Sequence, residues 1–566
     1  MAGKECKPMN GNTSTTAKAE RLSDAARLAS MWKSIDWAQA ETEVNRLQVR
    51  IAKATQEKKW NTVKRLQYLL THSYYAKLLA VRKVTTNKGK KTPGVDKVLW
   101  NTPAQKMNAV PSLTDKGYKA SPLRRVYIEK KGKKAKRPLG IPTMYDRAMQ
   151  ALYALALDPA SEVTADKHSF GFRKGRCCQD ACEYIFADLV RTVSPEWVLE
   201  GDIKGCFDNI SHDWLIANIP MDKSVLKQFL KAGFVFKDEL FPTDAGTPQG
   251  GVVSPILANM ALDGMEKVLS DRFHTNRLDK VDPRFKNAHK VNLVRYADDF
   301  IITAATKEIA EEAKELIRDF LKIRGLELSE EKTAISHFDD GFDMLGWTFR
   351  KFKGKLIVKP SKKSINAFVA ALSETILQRG KAWKQELLIE KLNQKIRGWA
   401  NYHQSVCASE AFAHIDYILF EFLWQWAKRR HPHKGQWWVS TKYWRRKGNR
   451  NWVFSTEDGK ELLRVDHIPI VRHTKVRMDA NPYLEPEYFI QRQFNHGMKR
   501  LSGRFKLIWR NQNGCCYHCG LPMDISDERE IFFKVPKSEG GKDEVRNMAY
   551  VHSHCQFLYT ERRSKE

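Results

Sequence analysis

VNLVRYADDFIIT, residues 291–303, holds two adjacent acids between two apolar runs. The pattern predicts two strands joined by a tight turn, with Asp298 and Asp299 at its tip. Neighbouring carboxylates at an apolar hairpin tip repel each other unless a cation neutralises them. Upstream, EWVLEGDIKGCFDNISH, residues 196–212, runs an apolar strand into Asp202. Two strands that each deliver a carboxylate to one end of a sheet make an oxygen-rich site for Mg²⁺, which takes a few carboxylates together with substrate phosphates. Two such ions, about 3.5–4 Å apart, serve nucleotidyl transfer by activating a 3′-hydroxyl and stabilising the leaving pyrophosphate. Asp202 and Asp298 are read as metal ligands and Asp299 as a supporting carboxylate, while Asp208 is read as structural.

Around these acids the chain is strongly basic. Among 566 residues, Lys and Arg number 97 against 66 Asp and Glu, a net charge of +31, and the pI is near 9.6. A composition that is 42% hydrophobic and 11% aromatic excludes a disordered or fibrous chain. A folded protein of this charge points to a polyanionic partner. At roughly 100–200 residues per domain, the length implies about three to five domains. Mean hydropathy is −0.53, and no apolar run approaches the roughly 18 residues of a membrane span, so no membrane partner is expected. The opening MAGKECKPMNGNTSTTAKAE lacks the apolar core of a secretory signal. Ten cysteines without a disulfide rhythm fit a reducing cytoplasm.

Composition divides the chain. Residues 1–28 are small and polar and read as a flexible tail. Residues 29–360 open on basic helical periodicity and then mix strand-like and helical runs without strict alternation, an α+β pattern. Residues 361–430 are helical, and IDYILFEFLWQWAKRR is apolar almost all round, which predicts a buried helix. Residues 431–504 interleave cations with rings, as in KRRHPHKGQWWVSTKYWRRKGNRNW, and half of the sixteen tryptophans lie between Trp383 and Trp452. Cations there suit phosphates and rings suit bases. Residues 505–566 form a Cys/His module. Its pairs Cys516-x-x-Cys519 and His552-x-x-Cys555 fit tetrahedral Zn²⁺ with three thiolates and one imidazole, with Cys515 or His554 as substitutes for one ligand.

The order of the motifs resembles the reverse transcriptases encoded by bacterial group II introns. The resemblance rests on YADD together with DIKGCFDNISH, AGTPQGGVVSPILANM (245–260), GLELSEEKT (325–333) and FDMLGW (342–347). Upstream, KTPGVD (91–96), PLRRVYIEKKGKKAKRPLGIPT (122–143) and DRAMQALYALAL (146–157) look like the finger motifs of the same family. It implies a multidomain α+β fold: right-hand polymerase fingers and palm over 29–360, and an α-helical thumb, the maturase domain X, over 361–430. A basic DNA-binding region over 431–504 and a small zinc-binding HNH-like domain over 505–566 would follow.

It also implies roles for single residues. Asp202, Ile203 and Asp298 would hold Mg²⁺, and Phe207, five residues after Asp202, would lie under the sugar of the incoming nucleotide to exclude a 2′-hydroxyl. Arg137, in a lysine- and glycine-rich hairpin, would grip triphosphate oxygens in a fork, with Lys130 in the same hairpin and Gln249 at the nucleotide or template. Glu129 stands where the family often has proline. LNQKIRGWANYHQ (392–404) resembles the maturase motif, giving Lys395, Arg397 and His403 as RNA contacts and Trp399 and Tyr402 as stacking surfaces. Arg445 and Arg446 are the expected DNA contacts. In HNH endonucleases a Glu-x-His-His element supplies the general base and a metal-binding imidazole, and a further His follows the last Cys. Here the stretch is Glu530-Ile531-Phe532-Phe533, and Gln556 follows Cys555. Phenylalanine neither accepts a proton nor binds a divalent ion, so the module is expected to be cleavage-inactive.

The expected function is that of a cytoplasmic bacterial protein that binds group II intron RNA, assists its splicing and copies it into DNA at a DNA target. It would use deoxynucleoside triphosphates and two Mg²⁺ ions, with a structural Zn²⁺. A non-catalytic splicing factor on a polymerase scaffold would have lost the three acids. A retron or CRISPR-associated reverse transcriptase would lack the maturase motif and the C-terminal module.

Overall fold

The computed structural model describes residues 24–129, 136–191, 193–275, 278, 280, 287–501, 503–523, 529–553 and 555–556. The chain runs through α1 (Trp37–Gln56), α2 (Trp60–His72), α3 (Tyr74–Thr86), α4 (Pro103–Ser112), β1 (Leu123–Glu129), β2 (Lys136–Ile141), α5 (Met144–Thr164), α6 (Cys178–Leu189) and β3 (Trp197–Asp202). It continues through α7 (Cys206–Asn209), α8 (His212–Asn218), α9 (Lys223–Leu230), β4 (Phe234–Phe236), β5 (Glu239–Phe241), α10 (Ser254–Leu262) and α11 (Met265–Phe273). The hairpin β6 (Asn292–Tyr296) and β7 (Asp299–Ala304) precedes α12 (Lys307–Lys322) and β8 (Ala334–His337). Then come β9 (Phe342–Met344), β10 (Trp347–Phe352), β11 (Lys355–Pro360), α13 (Lys362–Ser373), α14 (Gln385–His403), α15 (Ser409–Arg430) and α16 (Gln436–Tyr443). The last elements are β12 (Trp444–Lys447), β13 (Arg450–Phe454), α17 (Pro486–Arg500), α18 (Gly503–Asn511), β14 (Arg529–Phe533) and β15 (Met548–His552).

Period-two burial on both faces builds the central sheet, whose order is β6-β7-β3-β8 with antiparallel neighbours. Leu199, Leu293, Phe300 and Ile302 face one hydrophobic core, while Val198, Val294 and Ile301 face a second. Successive side chains of a strand point to opposite faces, so a near-continuous apolar run is what a sheet packed on both sides requires. The first core takes in α1–α3 packed on α5; the second takes in β9–β11 and α13–α16. The buried residues of a third core lie between Ile508 and Cys555, with Phe494, Met498 and Leu501 packed against them. A separate sheet in the order β2-β1-β4-β5 stands beside the first core.

Local signals fix the helix starts. The Asp36 carboxylate accepts from the backbone N–H groups of Ala38 and Gln39 at α1. Thr102 and Gln105 form a reciprocal cap at α4, and Thr143 caps α5. Each such cap contributes about 1 kcal/mol.

Two expectations change. Residues 24–33 are helical, so residues 24–28 do not belong to the flexible tail expected over 1–28, whose other residues lie outside the described set. The helix α15 is buried on one face only, through Phe412, Ile415, Leu419, Leu423 and Trp426 at helical spacing. Tyr417 is 62% exposed, and Phe420 and Trp424 join Trp444 and Trp452 in an aromatic cluster along the flank. Apolar residues all round thus reflect two different neighbours of the helix.

Candidate active site

The hairpin falls where its sequence predicts. Tyr296 pairs with Asp299, leaving Ala297 and Asp298 as the turn, with Ala297 at a φ of +58°. Across the sheet, Asp202 at the end of β3 is the register partner of Asp299, so the three carboxylates meet at one sheet end. Burial pushes the Asp299 carboxyl up to about 6, helped by the charges of Asp298 and Asp202. Burial also raises Asp298, with the Asp202 charge adding to it. A site that holds its acids against their own repulsion has a donor set suited to a divalent cation.

A side chain that the sequence reading missed supplies one compensating charge. Lys332 Nζ lies 2.7 Å from both carboxylate oxygens of Asp202. Arg295 was missed too, and it sets the turn from beneath. It is fully buried, donates to the Ala297 carbonyl and to Asn259 at 3.3 Å, and pairs with Asp263 at 2.6 Å. Burial pushes Asp263 up to about 7 even beside that guanidinium. An uncompensated partner of a buried pair costs about 3–5 kcal/mol, so Arg295 fixes the acid turn and the sheet together.

The other expected residues gather around the acids to differing degrees. Arg137 lies on β2, exposed, and close enough that its charge draws the Asp298 carboxyl down. Phe207, half-buried on α7, packs at the edge of the first core. Gln249 Nε2 donates to Asp208 at 2.9 Å, and its carbonyl accepts from Gly140 N at 2.8 Å, which ties its loop to β2. Only glycine fits next to it, since Gly250 has a φ of +109° and a Cβ there would stand 2.8 Å from the Gly140 carbonyl. Ile203 is buried and bridges antiparallel to Leu328 through bonds made by its neighbours Asp202 and Lys204. Its side chain has no ligand atom, so its backbone carbonyl is the group it can offer. Lys130 lies outside the described residues.

Downstream, the expected RNA contacts separate. Lys395 and Arg397 are exposed on α14. His403 is not: it is 1% exposed, its Nε2 is 3.0 Å from Ser364 Oγ, and it packs against Trp347, Trp399 and Tyr402. Trp399 stacks on Phe368, and Tyr402 stacks on Trp347 while donating to the Leu345 carbonyl. The expectation of RNA contact by His403, and of free stacking faces on Trp399 and Tyr402, is therefore corrected to core packing. Burial pushes His403 down to about 4 from the ordinary 6.5. The unfolded chain then takes up a proton that the folded chain refuses. Stability is full above pH 6.5 and is lost as pH falls toward 4, by up to about 3 kcal/mol. Thermal melts between pH 7 and 4 will show a falling midpoint, and His403→Gln will flatten part of that fall.

The expected DNA contacts separate as well. Arg445 donates to the Ser455 carbonyl and pairs with Glu457 at 3.3 Å, bracing the β12–β13 end of the region. Arg446 is exposed and only grazes the Gly448 carbonyl at 3.5 Å. Trp437, 79% exposed, and Trp452, 58% exposed, leave ring faces to solvent nearby. Arg446→Ala will lower the slope of log affinity against log salt by about one unit for DNA binding without loss of fold. Arg445→Ala will instead lower the melting temperature.

In the C-terminal module, the ligand atoms of Cys516, Cys519, His552 and Cys555 lie within 4.8 Å of one another. His552 Nδ1 is 3.5 Å from Cys519 Sγ and 3.8 Å from Cys555 Sγ. Zinc bonds of about 2.0–2.3 Å set tetrahedral edges of about that length. His554 lies outside the described residues, and the Cys515 thiol turns toward the Asn513 carbonyl. Cys177, Asp180 and His473 also cluster. There, however, Arg492 Nη2 sits 2.5 Å from Asp180 and 3.1 Å from His473 Nε2. A guanidinium already supplies the charge, so that cluster locks α6 to the C-terminal part of the chain.

A carboxylate triad at the end of an antiparallel sheet, with an arginine on a neighbouring hairpin, suits metal-assisted nucleotidyl transfer. The reverse transcriptase (RNA-dependent DNA polymerase) family matches residues 128–349, and the N-terminal domain of reverse transcriptase matches 32–113. The group II intron maturase-specific domain matches 365–444, and the HNH endonuclease family matches 516–556. The group II intron-encoded protein LtrA of Lactococcus lactis subsp. cremoris is 32% identical over 384 residues, 57% of this chain and 63% of that protein. Protein YkfC of Escherichia coli is 32% identical over 302 residues, 47% of this chain and 78% of that protein. The chain belongs to the family of group II intron-encoded reverse transcriptase–maturases with a C-terminal HNH domain. It spans just under two thirds of the length of its Lactococcus relative. Among the described residues, no helix is long and apolar enough to cross a membrane.

Proposed function

We propose that this protein binds its group II intron RNA, assists splicing, and copies the RNA into DNA at a DNA target. The observation that carries the reading is the convergence of Asp202, Asp298 and Asp299 at one sheet end, beside the loops that bear Phe207 and Gln249. Residues 29–360 act as fingers and palm, 361–430 as the thumb, 431–504 as the DNA-binding region and 505–566 as the HNH-like zinc domain.

The acid site suits Mg²⁺ because three carboxylates converge there and raise one another, with the Lys332 ammonium against Asp202 offsetting only part of their charge. Asp202, Asp298 and the Ile203 carbonyl would hold it, with Asp299 in support. When bound, two such ions supply charge stabilisation to an attacking 3′-oxygen and a departing pyrophosphate. Arg137 holds triphosphate oxygens, Phe207 lies under the sugar, and Gln249 keeps its loop close to the nucleotide. Lys395 and Arg397 bind intron RNA from the thumb, and Arg446 binds DNA phosphate.

The C-terminal tetrad suits a structural Zn²⁺, but the module does not suit a nuclease's catalytic metal. Phe532 is buried in the module core against Tyr517 and His518. The module is therefore a structural unit that does not cut nucleic acid. The reading is tested by extending a DNA primer on an RNA template with the purified protein, deoxynucleotides and Mg²⁺: full-length cDNA supports it, and a complete lack of extension refutes it.

A further inference from the structure

Phe172 is a large apolar side chain that is 55% exposed and held at a φ of +59°. A bulky non-glycine residue in that region is an outlier, and such outliers persist only where the surroundings over-determine them, most often at functional sites. Its surroundings do so on both sides. On one, Phe170 N donates to the Arg295 carbonyl and Arg295 N donates to the His168 carbonyl, both at 2.9 Å. Gly171 lies against the acid turn, where a Cβ would stand 2.4 Å from Ala297 N, and its carbonyl accepts from Asn259 at 2.8 Å. On the other side, Arg173 is buried in a two-bond pair with Glu162 and donates to the carbonyls of Asp166 and Ser169. Gly175 is closed off by Phe489 and its carbonyl accepts from Arg492 at 2.9 Å.

All this clamping serves to leave one apolar ring outside the core. That ring meets Phe207 edge-on, with centroids 6.2 Å apart and planes at 86°. The Phe207 backbone is pinned as well, its carbonyl accepting from Thr247 N at 2.6 Å. What the backbone leaves open is the side-chain torsion of Phe207, and an edge-on partner restricts it.

We propose that Phe172 is a positioning residue that holds the Phe207 ring against the sugar of the incoming nucleotide, and so sets the preference for deoxyribonucleotides over ribonucleotides. The inference rests on the polymerase reading above. Without the Phe172 ring, Phe207 turns aside and a 2′-hydroxyl finds room.

The test measures kcat/KM for dGTP and GTP in primer extension by the full-length protein, alongside thermal melts. Glycine suits a positive φ, so Phe172→Gly will melt at or above the wild-type temperature, yet its dGTP preference will fall by about tenfold. Phe172→Ala gives the same comparison with a Cβ retained, and Phe172→Tyr, which keeps the ring, will keep the preference. In a Phe207→Ala background, Phe172→Gly will cause no further loss, because the two residues act through one ring. A folded Phe172→Gly or Phe172→Ala protein with unchanged preference overturns the inference, as does an additive loss in the double variant, or an equal fall for both nucleotides. No extension by the unaltered protein overturns the polymerase reading and the inference with it, so the two failures are told apart.

Discussion

Asp298→Ala will abolish primer extension while RNA binding and splicing assistance persist. Asp298 sits at the turn between β6 and β7, and Asp202 faces the same end of the sheet. Removing one ligand from a metal site that carries transition-state charge costs several kcal/mol, and ~4 kcal/mol already means about a thousandfold in rate. The fold should not suffer. Burial and the Asp202 charge both hold the Asp298 carboxyl above its ordinary value, so its loss relieves repulsion, and the variant will melt no lower than wild type. The surfaces proposed for RNA, on α14 and beyond, lie on the second core and do not include the turn. Extension at near wild-type rate would remove Asp298 from the metal set. A collapse of splicing in a folded variant would break the separation of the two roles.

The second large effect is an absence of cutting. An RNA–protein particle incubated with strand-labelled target DNA and Mg²⁺ will leave the strand opposite the insertion site whole. By the resemblance to HNH endonucleases, imidazoles are expected where Phe532 and Phe533 stand on β14, and another where Gln556 follows Cys555. A general base contributes about 10²–10⁴-fold, and loss of the metal-binding imidazoles adds to that. The module is nonetheless built to fold: Phe532, Met548, Tyr550 and Val551 form its core with Trp509, and Asn547 ties residues 535 and 542 together through its side-chain amide. Priming then falls to another 3′ end, such as a nascent strand at a replication fork. Site-specific, protein-dependent cleavage of the opposite strand would show that some other residue has assumed the role.

The strands that carry the acids were legible because a sheet packed on both faces requires near-continuous apolar runs. VNLVRYADDFIIT carries apolar residues on both faces of a sheet that packs on both faces, and the acids stand at the turn between its two strands. Lys332 was not legible, because a lysine in Glu-Glu-Lys-Thr reads as a solvated turn until the fold brings it to Asp202 from 130 residues away. Phe172 was hidden for the same reason: no local pattern reveals a strained backbone.

His403 was misread although its signal was present. Leu392, Ile396, Ala400 and His403 follow helical spacing along one face, and all four are buried, so the imidazole belongs with the apolar residues rather than with Lys395 and Arg397. Arg445 and Arg446 look alike in sequence, but the register of β12 against β13 shifts between Arg445 and Lys447, and only a structure shows that it is Arg445 that meets Ser455 and Glu457. The clustering of Cys516, Cys519, His552 and Cys555 was readable from spacing because two short pairs bring four ligand atoms together.

The most direct test of the account joins both activities in one tube. The protein is assembled with an RNA transcript of the intron flanking its reading frame, exons included, and given Mg²⁺, deoxynucleotides and a primer annealed downstream. Ligated exons and cDNA are then measured from the same sample at several salt concentrations. The account predicts that both products appear only when the protein is present, with ligated exons alone from Asp298→Ala. Exon ligation without any cDNA from the unaltered protein, or cDNA without protein-dependent splicing, would contradict it.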